Sequence, residues 1–288
     1  MTETLIILAG GLSSRMKKSF ASDEISRENI AESNSVDKGL ITLGNGRPLL
    51  DYLLYIAKQA GFNKIIIVTG ENSSGMRSSY GDLDSGNNFH DMDISYAVQK
   101  IPADRVKPWG TADALLQALE QYSEYQKEHF CVCNSDNLYS EKVMKYLRTA
   151  AHPNALINYD RDGLEFTLEK ISGFAVTRSD HSDLLIDIHE KPDAAMLESC
   201  RGTDGIVRVS MNIFMFYGKM IYPFLINCPI NPARNEKELP SAILNMIGEN
   251  PGSLLCIPIK EHVPDLTEKN DIKKVSDYLH EKFSKLEW

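Results

Sequence analysis

Leu5-Ile6-Ile7-Leu8-Ala9-Gly10-Gly11-Leu12-Ser13-Ser14-Arg15-Met16 decides the fold class. An apolar run that stops at paired glycines reads as a buried parallel strand entering a tight loop. Small residues there let backbone N–H groups approach a ligand closely, and such loops at the C-terminal edge of an α/β sheet cradle phosphates. The loop is not a P-loop, because GxxxxGK[ST] is absent. Nor is it a dinucleotide fingerprint, since Leu12 and Arg15 stand where glycine is required. The plain alternative is a strand-to-loop turn with Arg15 as a solvated charge. Arg15 is followed by Lys17 and Lys18 in a chain of net charge −9, which favours an anion site.

Outward from that loop, residues 19–37 (SFASDEISRENIAESNSVD) are polar, nearly free of large apolar groups, and read as a mobile excursion. Pro48 suits the first turn of a helix with Leu50, Leu53, Leu54 and Ala57 on one face and Gly61 at its stop. Ile65-Ile66-Ile67-Val68 is the next buried strand, residues 71–92 a second polar loop, and Ile94 to Val98 a further strand. Ala112, Leu115, Leu116 and Leu119 mark another one-faced helix, and Phe130 to Cys133 a strand ending at Asn134-Ser135-Asp136. This strand–helix alternation predicts a parallel sheet covered on both faces. From about residue 155 the pattern changes, with strand-like segments near 155–160, 173–177, 184–188 and 206–217 and fewer helices between them. Ile272, Val275, Leu279 and Phe283 define an amphipathic terminal helix. The expectation is one doubly wound, mostly parallel α/β domain over residues 1–288, Rossmann-like. Residues 1–150 form its alternating strand–helix half and 151–288 a mixed-sheet elaboration.

Composition narrows the function. With 31 Lys and Arg against 40 Asp and Glu, the overall field will not attract nucleic acid, so an anionic substrate must meet a local cluster of cations. There is no apolar run of about eighteen residues. The start Met1-Thr2-Glu3-Thr4 lacks the basic front of a signal peptide, so neither a membrane span nor secretion is expected. The five cysteines show no CxxC pair, and Cys131 and Cys133 read as buried strand thiols in a reducing cytoplasm. The seven histidines lack metal-ligand spacing.

The loop AGG-x-x-S-R-M resembles the signature of the sugar-1-phosphate nucleotidyltransferases and their molybdopterin-nucleotide relatives. Further blocks follow in the same order. Lys38-Gly39-Leu40 with Pro48-Leu49-Leu50-Asp51-Tyr52 is similar to "PK-x-L … KPL-x-x-Y", and Gln99 with Gly110-Thr111-Ala112-Asp113-Ala114-Leu115 to "Q … GTA-x-AL". Asn134-Ser135-Asp136-Asn137 resembles the "GD-N" metal aspartate. Gly173 fits the glycine ahead of "EKP", present as Glu190-Lys191-Pro192, and Asn212 the asparagine of "N-x-G-x-Y". Asp265-Leu266-Thr267 resembles "D-[IV]-GT". Departures are Ser13 and Ser135 in place of glycines, the missing glycine after Leu266, and the 19–37 insertion between Arg15 and Lys38. The SSRM form is more typical of the molybdopterin branch, but that branch explains neither Glu190-Lys191-Pro192 nor Asp265-Leu266-Thr267. A silent nucleotide-sugar sensor is a third reading, opposed by intact Arg15, Asp136 and Lys191.

The resemblance implies a glycosyltransferase-A-like fold, a nucleotide-binding half over 1–150, a sugar-phosphate-binding half over 151–288, and a reaction joining a sugar-1-phosphate to a nucleoside triphosphate with release of pyrophosphate. Both reactants are anionic. Unit charges about 4 Å apart repel by about 4 kcal/mol at an effective dielectric of about 20. Cations must offset this, and no general base is obligatory because the attacking oxygen is already deprotonated. The implied catalytic groups are Arg15 and Lys38 on the triphosphate and Lys191 on the sugar phosphate. Asp136 and Asp265 are implied ligands of Mg²⁺. Leu8, Ala9, Gly10, Gly11, Gln99, Gly110 and Thr111 are implied nucleotide contacts, with Gln99 leaning toward uracil or thymine. Gly173, Glu190 and Asn212 are implied sugar-phosphate contacts. Plain rivals stand beside these: Asp265 as a helix cap, Lys191 as a solvated turn residue, Gln99 satisfying backbone, and Trp109 packing a loop rather than stacking on a base. The resemblance does not fix the oligomeric state, although homo-oligomers are common in the family.

Overall fold

The computed structural model describes residues 1–72, 74–81 and 87–288, and the side chains of all of these except Leu168 and Ala194. The chain divides into two compact units built from interleaved segments. One comprises Glu3–Lys100, Cys133–Met144 and Val263–Trp288, and the other Met1–Thr2, Ile101–Val132 and Lys145–His262.

In the first unit, β1 (Thr4–Leu8) leads through the glycine loop into the short helix α1 (Ser14–Lys18), then α2 (Arg27–Ser35). A two-residue hairpin, β2 (Thr42–Leu43) and β3 (Arg47–Pro48), precedes α3 (Leu49–Ala60), β4 (Lys64–Thr69), α4 (Ser74–Tyr80) and β5 (Asp93–Val98). β4 pairs in parallel with both β1 and β5. Leu5, Ile6, Ile7, Ile65, Ile67 and Ile94 are fully buried, as strands covered on both faces require. α3 follows Pro48 and ends at Gly61, whose φ of 93° lies in the left-handed region that glycine enters freely.

Residues 19–37 are not a mobile excursion. They contain α2, which lacks an apolar stripe and is held by polar side chains instead. The Asn29 N–H donates to Ser26 Oγ (3.1 Å), and Thr42 donates to the Glu32 carboxylate from its N–H (2.8 Å) and its hydroxyl (3.0 Å). The 71–92 stretch is likewise not a plain loop, because α4 buries Met76 and Tyr80, four residues apart on one face. Residues 73 and 82–86 of that stretch lie outside the described residues.

The second unit carries the mixed sheet. After α5 (Thr111–Gln121) come β6 (His129–Asn134), whose last two residues belong to the first unit, and α6 (Glu141–Thr149), whose first four do. The sheet is built around β7 (Ala155–Asp160), every residue of which is buried. α7 (Leu168–Ile171), β8 (Ala175–Ser179), β9 (Leu185–His189), α8 (Ala194–Ser199), β10 (Arg208–Ser210) and β11 (Ile213–Tyr217) follow. α9 (Gly218–Ile226), α10 (Leu239–Glu249) and β12 (Leu255–Ile259) complete it. β10 and β11 run antiparallel to β7, β8 antiparallel to β10 and β9, and β12 parallel to β7. The expected α/β class with a mixed-sheet elaboration is what forms. The five cysteines are free and buried. Among the described residues, no helix is long and apolar enough to cross a membrane.

Candidate active site

The C-terminal end of β1 positions the first group of residues, all in the first unit. The Ala9 N–H donates to Val68 O (2.8 Å) and the Ser135 N–H to Leu8 O (3.1 Å), fixing the loop between two segments. A Cβ on Gly10 would lie 3.0 Å from Gln99 Oε1, so glycine is what lets the buried Gln99 side chain reach the loop. A Cβ on Gly11 would meet nothing within 4 Å, leaving open space over the backbone where a ligand can approach. Ser13 stands at the start of α1 with a φ of 55°, in the left-handed region that glycine enters more freely than serine. Arg15 is exposed on α1, next to fully buried Met16.

Lys38 sits on a 3-10 turn, Lys38–Leu40, and its ammonium donates to Asp136 Oδ2 at 2.9 Å. Both side chains are largely buried, 12% and 21% exposed. Asp136 and Asp265 are carried on adjoining segments. The Leu266 N–H donates to Asp136 O (2.8 Å), the Leu138 N–H to Pro264 O (2.9 Å), and Asn137 and Asp265 form an antiparallel bridge. Asp265 is not a helix cap. The terminal helix Asp271–Lys282 starts six residues later, behind Asn270. Its carboxylate instead accepts from Asn137 Nδ2 (3.0 Å) and Thr267 Oγ1 (2.6 Å). Leu8, Ala9, Gly10, Gly11, Arg15, Lys38, Gln99, Asp136 and Asp265 thus all belong to one unit.

Gly110, Thr111, Gly173, Glu190, Lys191 and Asn212 belong to the other. Gly110 has a φ of 112°, and a Cβ there would lie 2.7 Å from Lys237 O, so glycine is obligatory at this turn. Thr111 Oγ1 accepts from the Leu239 N–H (3.0 Å), joining α5 to α10. Trp109 packs the loop, with the Arg105 guanidinium 3.4 Å from its ring centroid. Gly173 lies in the turn before β8, its N–H donating to Lys170 O (3.1 Å). Lys191 and Asn212 adopt φ values of 46° and 55°. Left-handed backbone at non-glycine residues costs of order 1 kcal/mol each and concentrates at functional positions.

Glu190 lies in an acidic group around Arg234. The Arg234 guanidinium is 4.0 Å from Glu190 Oε2, 3.3 Å from Glu236 Oε2, and also paired with Glu238. Burial pushes the Glu190 carboxyl up to about 7, Glu238 and Glu236 add to the rise, and Arg234 and Lys191 oppose it. A folded-state value above the unfolded 4.5 favours the protonated form in the fold. The stability this contributes is complete below pH 4.5 and is lost as pH rises through 7. Glu190→Gln removes the titration. Its melting temperature relative to the parent should therefore climb between pH 5 and pH 8, by the equivalent of up to roughly 3 kcal/mol. A difference constant across that range contradicts the burial argument.

Four supporting residues carried no sequence assignment. Asn137 and Thr267 were visible only as members of the motifs they sit in. Arg234 has Glu236 and Glu238 nearby in sequence, but its approach to Glu190 is made only by the fold, and the partners of Lys269 are all distant along the chain.

The chain matches the nucleotidyl transferase family model over residues 31–261 and belongs to that family. It is 27% identical over 225 residues to glucose-1-phosphate adenylyltransferase 1 of Vibrio vulnificus strain CMCP6, covering 77% of this chain and 50% of that protein. It is 26% identical over 189 residues to glucose-1-phosphate adenylyltransferase of Paramagnetospirillum magneticum, covering 64% and 42%. The chain thus spans about half the length, or less, of these relatives. The crystal structure of a UDP-glucose pyrophosphorylase complexed with UDP-glucose superposes with a TM-score of 0.71 at 17% identity, over 98% of this chain and 100% of that one, which establishes the shared fold.

Proposed function

We propose that this protein transfers a nucleotidyl group from a nucleoside triphosphate to a sugar-1-phosphate, releasing pyrophosphate, and that the whole 1–288 span is the functional domain. The observation that carries this is the gathering, in one unit of an acidic chain, of the glycine loop with Arg15, the Lys38–Asp136 pair and Asp265. The names of the relative and of the solved structure share glucose and differ in base, adenylyl in one case and UDP in the other.

In this reading, backbone N–H groups of Gly10 and Gly11 hold the triphosphate, Arg15 forks onto it, and Lys38 adds a second cation. Lys191 holds the sugar phosphate, and Glu190 and Asn212 take sugar hydroxyls. Gln99 offers a donor and an acceptor to a base edge, which favours UTP or dTTP. Asp136 and Asp265 present hard carboxylate oxygens from two backbone-linked segments, a donor set suited to Mg²⁺, which needs few protein carboxylates and retains water and phosphate ligands. Bound there, Mg²⁺ supplies charge neutralisation on the phosphates. The buried free thiols fit a reducing, cytoplasmic setting.

The test is pyrophosphate release from UTP, dTTP, ATP, CTP and GTP with a panel of sugar-1-phosphates and Mg²⁺. Release is expected only when one triphosphate and one sugar phosphate are both present. Thermal stabilisation by these ligands without any turnover contradicts the assignment and favours the sensor.

A further inference from the structure

We propose that Lys269 is a positioning residue for the triphosphate loop, holding Arg15 by clasping the backbone that follows it. This rests on the reading of that loop given above. α1 has five residues, too few to hold a helical turn by itself, and a helix end leaves its last carbonyls without intrahelical partners. The Lys269 ammonium donates to three carbonyls at that end: Met16 (2.9 Å), Lys17 (2.8 Å) and Ser19 (3.0 Å). These account for all three N–H donors of the group. Its own N–H donates to Ser19 Oγ (3.0 Å), and that hydroxyl donates to Met16 O (3.0 Å).

Lys269 is 4% exposed, and its ammonium pairs with no carboxylate among the described residues. Burying an ammonium on neutral carbonyls alone is expensive, and an apolar side chain would fill the space without that cost. What the ammonium alone provides is fixed placement of three carbonyls. Arg15 directly precedes the first of them. Ser13 fixes the start of α1 in the left-handed region, so both ends of the Arg15 turn are held. Lys269 also lies four residues beyond Asp265, on the segment fastened to Asp136 through Leu266. The clasp therefore joins the carboxylate segment to the loop that meets the triphosphate.

The experiment is calorimetric titration of the full chain with inorganic tripolyphosphate, which needs neither a correct base nor turnover. The proteins compared are the parent, Arg15→Ala, Lys269→Met and Lys269→Arg, each with its melting temperature recorded. Arg15→Ala and Lys269→Met should each weaken binding by about tenfold or more, since a misplacement of about 1 Å in a positioning group costs up to about 10². Lys269→Arg, still able to donate to carbonyls, should recover most of the loss. Should Lys269→Met fail to fold, Lys269→Gln keeps two donors and replaces it, with a loss expected between those of the other two. In pyrophosphate release the same variants should raise the triphosphate KM more than they lower kcat. A folded Lys269→Met or Lys269→Gln that binds tripolyphosphate within about twofold of the parent, while Arg15→Ala is impaired, overturns the proposal and leaves the loop reading intact. If the parent does not bind, or Arg15→Ala is unimpaired, the loop reading falls and the clasp falls with it.

Discussion

Asp136→Asn is expected to lower kcat by about 10²–10³ while leaving a folded protein, as loss of a single charge-stabilising group at a phosphoryl site does. Asparagine conserves the volume and keeps a carbonyl that Lys38 can donate to, so that ammonium, 12% exposed, is not left wholly without an acceptor. The backbone bond from Leu266 to Asp136 O does not involve the side chain and persists. The stability cost should therefore be about 1–3 kcal/mol, the range for weakening a partly buried charged hydrogen bond. Steady-state kinetics at saturating substrates, with circular dichroism as the folding control, measures both quantities. Undiminished turnover would remove Asp136 from the reaction.

Lys191→Ala should reduce kcat/KM for the sugar phosphate by about 10²–10³ and leave the triphosphate KM within about twofold. Lys191 is exposed, so the change should alter stability by no more than about 0.5 kcal/mol. Its left-handed backbone allows a sharper form of the experiment. Lys191→Gly relieves the φ strain and also removes the cation. If the ammonium is what matters, the alanine and glycine variants are equally impaired. If the glycine variant regains activity, backbone shape rather than charge is the contribution of that position.

How far the chain could be read depended on the range of each interaction. The β1 loop was legible because Leu5 to Ala9 are continuously apolar and two glycines end the run, a local pattern with one structural solution. The position of Asp136, just past the strand that holds the apolar run Phe130 to Cys133, was legible for the same reason. α2 was not, because it is tied down by Glu32, Asn29 and Ser26 rather than by an apolar face. α4 was hidden among serines and glycines, and only Met76 and Tyr80 mark its buried side. For Asp265 the family resemblance implied a metal ligand and the spacing to Glu268 offered a helix cap, and the start of the terminal helix at Asp271, behind Asn270, excludes the cap. The Lys269 clasp joins residues about 250 positions apart, so no window of sequence contains both ends. The division into two units was equally hidden, because each is assembled from segments separated along the chain.

The most direct measurement follows the α-phosphorus of a radiolabelled nucleoside triphosphate incubated with the protein, a sugar-1-phosphate and Mg²⁺. Nucleotidyl transfer predicts that the label enters a product also containing the sugar, with one unlabelled pyrophosphate released for each such molecule. Label recovered only in nucleoside mono- or diphosphate, or pyrophosphate formed equally well without the sugar phosphate, would contradict it.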